Sequence, residues 1–221
     1  MTTTDGGVLG DSLSPRRLLS SQTVYDGRIW DVVQDTFEFT PGNEPLVRDY
    51  IEHPGAVAVL VLNDADEVLL INQYRHPVRM NLWEIPAGLL DVAGEPPHLA
   101  AARELAEETD LIAADWSVLV DLFLSPGSSS EAIRIYLART TSPVPAEQRH
   151  QRTDEEADMA VAWVPFDDAV AAVLAGRIHN PSAVAGLLAA AASRAGGYAS
   201  LRPVDEAFEA HPRLRSGEPR A

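Results

Sequence analysis

Hydrophobic and polar residues alternate along residues 22–53, most clearly within residues 29–39 and 46–52. The turn signal Pro41-Gly42-Asn43 separates these two segments. Alternation with a period of two is typical of strands that have one buried and one exposed face. The pattern therefore predicts a small antiparallel sheet at this end of the chain.

After Pro54-Gly55 the pattern changes to continuous apolar runs, which predict buried strands and packed helices. Asn180 followed by Pro181 is typical of a helix start, and Gly176 is typical of a helix end. The apolar run at 183–192 is shorter than the roughly 20 residues of a membrane span, so we expect a packed helix there. The predicted strands are 56–62, 67–73, 116–124, 131–138 and 159–164, and the predicted closing helices are 167–175 and one from 181.

Three carboxylates lie on one short helix within residues 88–111. At about 100° per residue, Glu104, Glu107 and Glu108 fall within an arc of about 100°. Their mutual repulsion costs about 0.2 to 0.5 kcal/mol per pair, and a multivalent cation would offset it. The pattern predicts a metal site, the alternative being a solvated acidic face. The residues expected to pack on the opposite side are Leu99, Ala102, Leu105, Ala106 and Thr109.

The composition limits the classes of function that the chain can have. The chain has 221 residues, 46% of them hydrophobic, which favours one main domain with a small second unit. A net charge of −16 argues against a nucleic-acid or membrane partner and implies that an anionic substrate would need metal ions to bind. There is no cysteine and no signal-peptide pattern, so we expect a cytoplasmic protein.

These patterns predict an α+β fold in which a mixed β-sheet is sandwiched between helices and a small antiparallel sheet precedes it. We expect residues 1–15 to be disordered and residues 16–54 to form the N-terminal sheet domain. Residues 55–200 are expected to form the main domain, and residues 201–221 a loose C-terminal tail.

The order of residues around the acidic helix resembles the Nudix box, G-x5-E-x7-R-E-U-x-E-E-x-G-U, where U is aliphatic. Six residues rather than five separate Gly88 from Glu95, and Asp110 stands where the pattern has its second glycine. We expect modest backbone strain at Asp110, without loss of chemistry. The matching residues are Gly88, Glu95, Arg103, Glu104, Leu105, Glu107, Glu108 and Leu111.

Three further segments are similar to ADP-ribose pyrophosphatases of the Nudix family. They are the stretch from Gln73-Tyr74-Arg75-His76-Pro77 to Gly88, the triplet Ser125-Pro126-Gly127, and the acidic segment 155–159. The resemblance implies the Nudix fold and Mg²⁺-dependent hydrolysis of ADP-ribose to AMP and ribose 5-phosphate. It makes residues 55–200 the catalytic domain and residues 16–54 a dimerisation domain.

The resemblance also implies a ligand set for Mg²⁺, or Mn²⁺ in its place. Glu104 and Glu108 would bind the metal directly, with the backbone carbonyl of Ala87 and with Glu107 shared or nearby. Hard oxygen ligands suit both cations. Arg103 would orient one of these glutamates, and Glu95 is either part of the site or a structural carboxylate near the helix N-terminus.

The general base is expected in segment 140–158, whose Pro, Thr and Gln content is typical of a mobile loop. The resemblance favours Glu156. Its neighbour Glu155 and the nearby His150, whose pKa is ordinarily closer to neutrality, remain alternatives.

The substrate-binding residues that the resemblance suggests are Trp30, Arg75, Arg79 and Glu131. Trp30 would stack on adenine, or else it packs within the N-terminal sheet. Arg75 would contact the other face of the base or a phosphate. Arg79 stands where a tighter arginine cluster is expected. The resemblance implies a homodimer that exchanges its N-terminal sheets.

Two other functions remain open. The first is hydrolysis of a different nucleoside diphosphate sugar, such as GDP-mannose or ADP-glucose, because the box specifies the pyrophosphate chemistry alone. The second is a non-catalytic sensor that binds ADP-ribose, although the intact Glu104, Glu107 and Glu108 argue against it.

Overall fold

A computed structural model describes residues 9–151 and 159–215 of the chain. It contains ten strands and three α-helices in these ranges. The strands are β1 (Arg17–Tyr25), β2 (Asp31–Glu38), β3 (Leu46–Glu52), β4 (Ala56–Val61), β5 (Glu67–Arg75), β6 (Met80–Glu84), β7 (Ala87–Leu89), β8 (Leu111–Phe123), β9 (Ala132–Pro143) and β10 (Ala160–Pro165). The helices are α1 (Pro97–Thr109), α2 (Phe166–Leu174) and α3 (Pro181–Ala195), with a short 3₁₀ helix at Ala146–Gln148.

The described residues up to Glu52 form one compact unit, and those from His53 form a second. The first unit is an antiparallel sheet in the order β1-β2-β3, as the alternation predicts. Val33 is its buried apolar residue, while every residue of β1 is exposed. The first sheet thus has little core of its own.

The second unit is built on the sheet β7-β4-β9-β8, with the antiparallel sheet β10-β5-β6 beside it. β4 runs parallel to β9 and antiparallel to β7, so the predicted mixed sheet is confirmed. All six residues of β4 are buried. A strand that is buried on both faces reads as a continuous apolar run, which explains its pattern in the sequence.

Alternate residues of β4 face two different helices. Val57 and Val59 pack in one cluster with Ala101 and Leu105 of α1. Ala58 and Leu60 pack in a second cluster with Ala183 and Leu187 of α3. Because side chains alternate across a strand, β4 holds both layers of helices on one sheet.

The helix boundaries follow the capping residues. The Asn180 side chain accepts a hydrogen bond from the Ala183 N–H at 2.9 Å, so the predicted N-cap of α3 is confirmed. Asp110 ends α1 in the left-handed conformation, at φ 58°, and its N–H donates to the Ala106 carbonyl. Within residues 9–151 and 159–215, no helix has the length and apolar character of a membrane span.

The packed face of α1 differs from the predicted one. Leu105 and Thr109 are buried as expected, but Leu99 is 50% exposed. Ala100 and Ala101 are buried in its place. The helix is rotated so that these small side chains, and not Leu99, meet the sheet, which permits a close approach between α1 and β4.

The expectation of a loose tail after residue 200 is wrong for the residues that the structure describes. Arg202 pairs with Val118 through backbone hydrogen bonds in both directions. Phe208 and His211 are buried. The buried Arg134 of β9 donates hydrogen bonds to the carbonyls of Glu206 and Ala207, so residues 202–211 are held on the main sheet.

Candidate active site

Gly88 allows α1 to bring a carboxylate onto the backbone of β7. A Cβ atom built on Gly88 would lie 1.9 Å from the Cδ atom of Glu104 and 2.2 Å from its Oε1. Any side chain at position 88 would displace this carboxylate. The first glycine of the box is therefore needed for close approach rather than for an unusual backbone angle.

Glu108 contacts the same strand. Its Oε2 accepts a hydrogen bond from the Ala87 N–H at 3.0 Å, and the residue is only 5% exposed. Burying a carboxylate is costly unless its oxygens are well satisfied. This burial separates Glu108 from an ordinary solvated acidic helix face.

Arg103 is surrounded by carboxylates. It forms a two-bond ion pair with Glu95, at 3.1 and 3.0 Å, and its Nη1 donates to Glu104 at 2.6 Å and to Glu107 at 3.3 Å. Hydrogen bonding to Glu95 is the main reason that the pKa of Arg103 is raised, and Glu104 contributes as well. The guanidinium thus supplies positive charge to the acidic face of α1.

The donor set of this region fits a hard divalent cation. Glu104 and Glu108 both lie against residues 87 and 88, where carboxylate and backbone carbonyl oxygens are available. Among the described residues, no three acidic or histidine side chains already converge into a metal-binding cluster. Arg103 interacts with two of the glutamates, so a bound cation would share these carboxylates with it.

A cavity of about 380 Å³ opens beside this face of α1. Arg103 and Glu107 line it on the helix side, and His150 lines it on the side of the segment that follows the 3₁₀ helix. Glu155 and Glu156 lie outside the described residues. The other lining residues are Ala106, Gln148, Arg149 and Gln151.

The sequence analysis did not select Arg149, although it adds a cation to this cavity. Its Nε donates to the Val144 carbonyl at 3.3 Å. The signal available in the sequence was its position, directly before His150.

Arg75 is paired with Glu84, a second residue that the sequence analysis did not select. The Nε and Nη2 atoms of Arg75 donate to the two carboxylate oxygens of Glu84 at 2.9 and 2.7 Å. Glu84 is 2% exposed, whereas Arg75 remains partly exposed. The buried carboxylate therefore orients Arg75. Arg79 lies in the exposed turn between β5 and β6, at φ 55°.

Glu131 lies just before β9, where its Oε1 is 3.9 Å from the Nε2 atom of His53. Burial raises the pKa of Glu131. Burial also lowers the pKa of His53, and the positive charge of Arg213 adds to this effect. Glu131 thus contacts His53, three residues before β4, and no contact joins it to Glu104, Glu107 or Glu108 among those that the structure shows.

Trp30 belongs to the first unit and directly precedes β2. The residue is 40% exposed, and its ring lies 6.5 Å from the ring of Tyr25, at an angle of 48°. It is therefore not a buried core residue of that sheet, and much of the indole surface is available to a ligand or to another chain.

Comparison with known proteins places this geometry in context. The NUDIX domain family model matches residues 52–184. The chain is 46% identical over 187 residues to the ADP-ribose pyrophosphatase of Mycobacterium tuberculosis, covering 85% of this chain and 88% of the relative. It is 29% identical over 164 residues to the ADP-ribose pyrophosphatase of Bacillus subtilis, covering 74% and 86%.

A solved structure titled as an ADP compounds hydrolase has a similar fold, with a TM-score of 0.67. The similarity covers 85% of this chain and 98% of the other. At 24% sequence identity, this likeness shows the fold alone.

Proposed function

The chain belongs to the NUDIX family, and we propose that it hydrolyses the pyrophosphate bond of ADP-ribose to give AMP and ribose 5-phosphate. The reaction adds one water molecule across the phosphoanhydride: one phosphorus keeps the bridging oxygen, and the other takes the oxygen of the water. The substrate is supported by the relatives named above, both of which are called ADP-ribose pyrophosphatases.

The observation that carries the chemistry is the placement of Glu104 and Glu108 against Ala87 and Gly88. A substrate with two phosphates is anionic, and this acidic chain would repel it without a cation. The site therefore suits a metal-assisted hydrolase better than a metal-free one.

We assign Mg²⁺ to this position, with Mn²⁺ able to replace it. Glu104, Glu108 and the Ala87 carbonyl would hold the ion, and Glu107 would be shared or lie next to it. When bound, such a cation neutralises phosphate charge and lowers the pKa of water. Arg103 keeps the carboxylates in place through its ion pairs with Glu95, Glu104 and Glu107.

We assign the role of general base, which takes the proton of the attacking water, to Glu156. Glu155 and His150 are the alternatives. His150 is supported by its position on the wall of the cavity. The general base must lie within hydrogen-bond reach of the water that it activates, and substitution of each of the three residues identifies it.

Trp30, Arg75, Arg79 and Glu131 are assigned to substrate binding. Arg75 is best supported, because Glu84 holds its guanidinium in a defined orientation. The homodimer is part of the proposal, since β1 is exposed along its whole length and the first sheet has little core. The expected compartment is the cytoplasm, in keeping with a chain that has no cysteine.

A substrate panel tests the proposal. The purified chain is incubated with ADP-ribose, ADP-glucose or GDP-mannose in Mg²⁺, in Mn²⁺ and in EDTA, and the products are identified by chromatography. We expect AMP and ribose 5-phosphate from ADP-ribose, with no turnover in EDTA. Faster cleavage of GDP-mannose would overturn the substrate assignment, and tight binding of ADP-ribose without turnover would make the protein a sensor.

A further inference from the structure

We propose that His211 is a positioning residue that latches the C-terminal segment onto the start of β4, and that protonation of its ring releases the latch. The neutral ring thereby holds the β4–β7 pair, which carries the proposed metal site. The latch itself does not depend on the proposed function; only its effect on catalysis rests on that function.

Both ring nitrogens of His211 have defined partners. Nε2 lies 2.7 Å from the Pro54 carbonyl oxygen, and Nδ1 lies 3.1 Å from the Arg213 backbone nitrogen. Since a backbone N–H can only donate, Nδ1 must accept, and Nε2 must carry the proton that it donates to Pro54. The observed pair of hydrogen bonds requires the neutral imidazole.

The ring also lies directly against the backbone of Gly55. A Cβ atom built on Gly55 would be 2.1 Å from the Nε2 atom of His211, and Gly55 has φ +90°. Both facts favour glycine at this position. The ring of Phe208 also packs against His211, with 5.4 Å between the two ring centres.

A short path of backbone hydrogen bonds leads from this contact to the candidate metal site. The Gly55 carbonyl accepts from the Leu90 N–H at 3.0 Å, just beyond β7. Ala56 then pairs with Leu89, and Val57 pairs with Gly88. Gly88 is the residue on which the Glu104 carboxylate lies. The latch thus fixes the β4–β7 pair at the end near Gly55, and this pair supports the carboxylates.

The rest of the segment has its own anchor, so release at His211 is local. Arg134 forms a two-bond ion pair with Asp121 and donates to the carbonyls of Glu206 and Ala207. Its guanidinium also lies 4.4 Å from the Phe208 ring centre. None of these contacts depends on the protonation of His211.

The charges around His211 oppose its protonation. Arg213 and Arg215 lie on its own segment, and His53 faces it from the residues before β4. Glu131, at the start of β9, faces His53, and burial raises the pKa of its carboxyl. Burial is the main cause that lowers the pKa of His211, opposed by the hydrogen bond to Pro54.

The sign of the pH dependence follows from this lowered pKa. Between the folded and the unfolded pKa, the unfolded chain binds more protons than the folded one. The stabilising effect of neutral His211 is therefore complete above the ordinary histidine pKa and is lost as the pH falls through it towards the folded value. Acid should open the β4–β7 pair before it unfolds the chain.

Hydrogen–deuterium exchange of the whole chain, corrected for the intrinsic pH dependence of exchange, tests the latch. The substitution His211→Gln keeps a donor for Pro54 and an acceptor for Arg213 but cannot be protonated. Between about pH 8 and about pH 5.5, we expect protection of residues 86–92 to fall about tenfold in the wild type and less than about twofold in His211→Gln.

Two histidine substitutions serve as controls. His179→Gln makes the same change at an exposed position, and His53→Gln replaces the half-buried histidine that accepts from the Gly55 N–H with a side chain that can still accept; both should keep the tenfold loss. An equal loss in His211→Gln, or its disappearance in His53→Gln, would overturn the proposal. If His211→Gln does not fold, an NMR titration of wild-type His211 decides: an ordinary midpoint overturns the latch, and a lowered one that coincides with the loss of protection supports it.

This experiment requires no substrate. Failure of the ADP-ribose assay therefore leaves the latch standing, and failure of the latch leaves the assignment of ADP-ribose unaffected.

Discussion

Individual side chains at the candidate site are linked more closely than their spacing in the sequence suggests. Glu104, Glu107 and Glu108 share a helix face but differ in their contacts: Glu104 lies on the Gly88 backbone and pairs with Arg103, Glu107 pairs with Arg103, and Glu108 accepts from the Ala87 N–H. The expected repulsion among them is offset by Arg103 even without metal. Helical geometry predicts the shared face, whereas tertiary packing determines the partners.

Replacing Glu108 with glutamine should separate catalysis from stability. The amide oxygen can still accept from the Ala87 N–H, so the melting temperature should change by no more than about 2 to 4 °C. Loss of a proposed metal ligand should lower kcat by about a thousandfold. Steady-state kinetics and thermal melts measure both effects.

The same acid-to-amide change at the exposed Asp64 is the matched control and should alter neither quantity. A large loss of stability in Glu108→Gln with normal kcat would mean that Glu108 is structural.

The general base has three candidates: His150 lines the cavity, and Glu155 and Glu156 lie outside the described residues. Removing a positioned base lowers the rate by about 10² to 10⁴. We expect Glu156→Gln to show this loss in kcat with little change in KM, and Glu155→Gln and His150→Gln to show much smaller losses. Parallel kinetics of the three variants decide the assignment. A dominant effect in His150→Gln would transfer the role to the wall of the cavity.

At the level of helices and strands, the two departures from the box pattern have simple structural consequences. The extra residue lies between β7 and α1, outside both elements, so it leaves Gly88 and Arg103 in place. Asp110 takes the left-handed conformation at the helix end, where backbone strain was expected. Capping and periodicity predicted these elements because they are local. The exposure of Leu99 was not predictable, since it depends on how α1 lies on the sheet.

The conformation of Asp110 predicts an order of stability. Glycine adopts this conformation freely, while alanine pays about 1 to 2 kcal/mol. Asp110→Gly should therefore be at least as stable as the wild type, and Asp110→Ala should lose about 1 kcal/mol. Asp110→Asn controls for the charge. Denaturant titration gives the three free energies of unfolding, and equal values for the glycine and alanine variants would contradict this explanation.

Across the whole molecule, the features that the sequence concealed are long-range ones. Residues 202–211 contain several charged and proline positions that indicate a loose tail, yet their carbonyls meet a buried arginine more than 70 positions away. No periodic pattern in the sequence predicts which residues the Arg134 guanidinium on β9 contacts. By contrast, the mixed sheet between helices followed from the buried run of β4 and the box helix.

The proposed homodimer predicts a specific kinetic defect. If the exposed Trp30 stacks on adenine, Trp30→Ala should raise KM about tenfold while kcat stays nearly constant, because stacking stabilises the bound substrate and the transition state alike. Trp163, exposed to a similar degree on β10, is the control, and its replacement by alanine should leave KM unchanged. Sedimentation at assay concentration measures the mass. A monomer with normal KM in Trp30→Ala would remove both the dimer and the stacking role.

The ion pairs of Arg103 imply that the chain can fold before it binds the proposed metal. Because its single positive charge is already shared among Glu95, Glu104 and Glu107, we expect a newly made chain to complete α1 before any ion arrives. Under metal starvation the protein would persist in native form and regain activity on resupply without refolding. Its abundance would then follow synthesis and degradation, while its turnover alone would follow the supply of divalent ions.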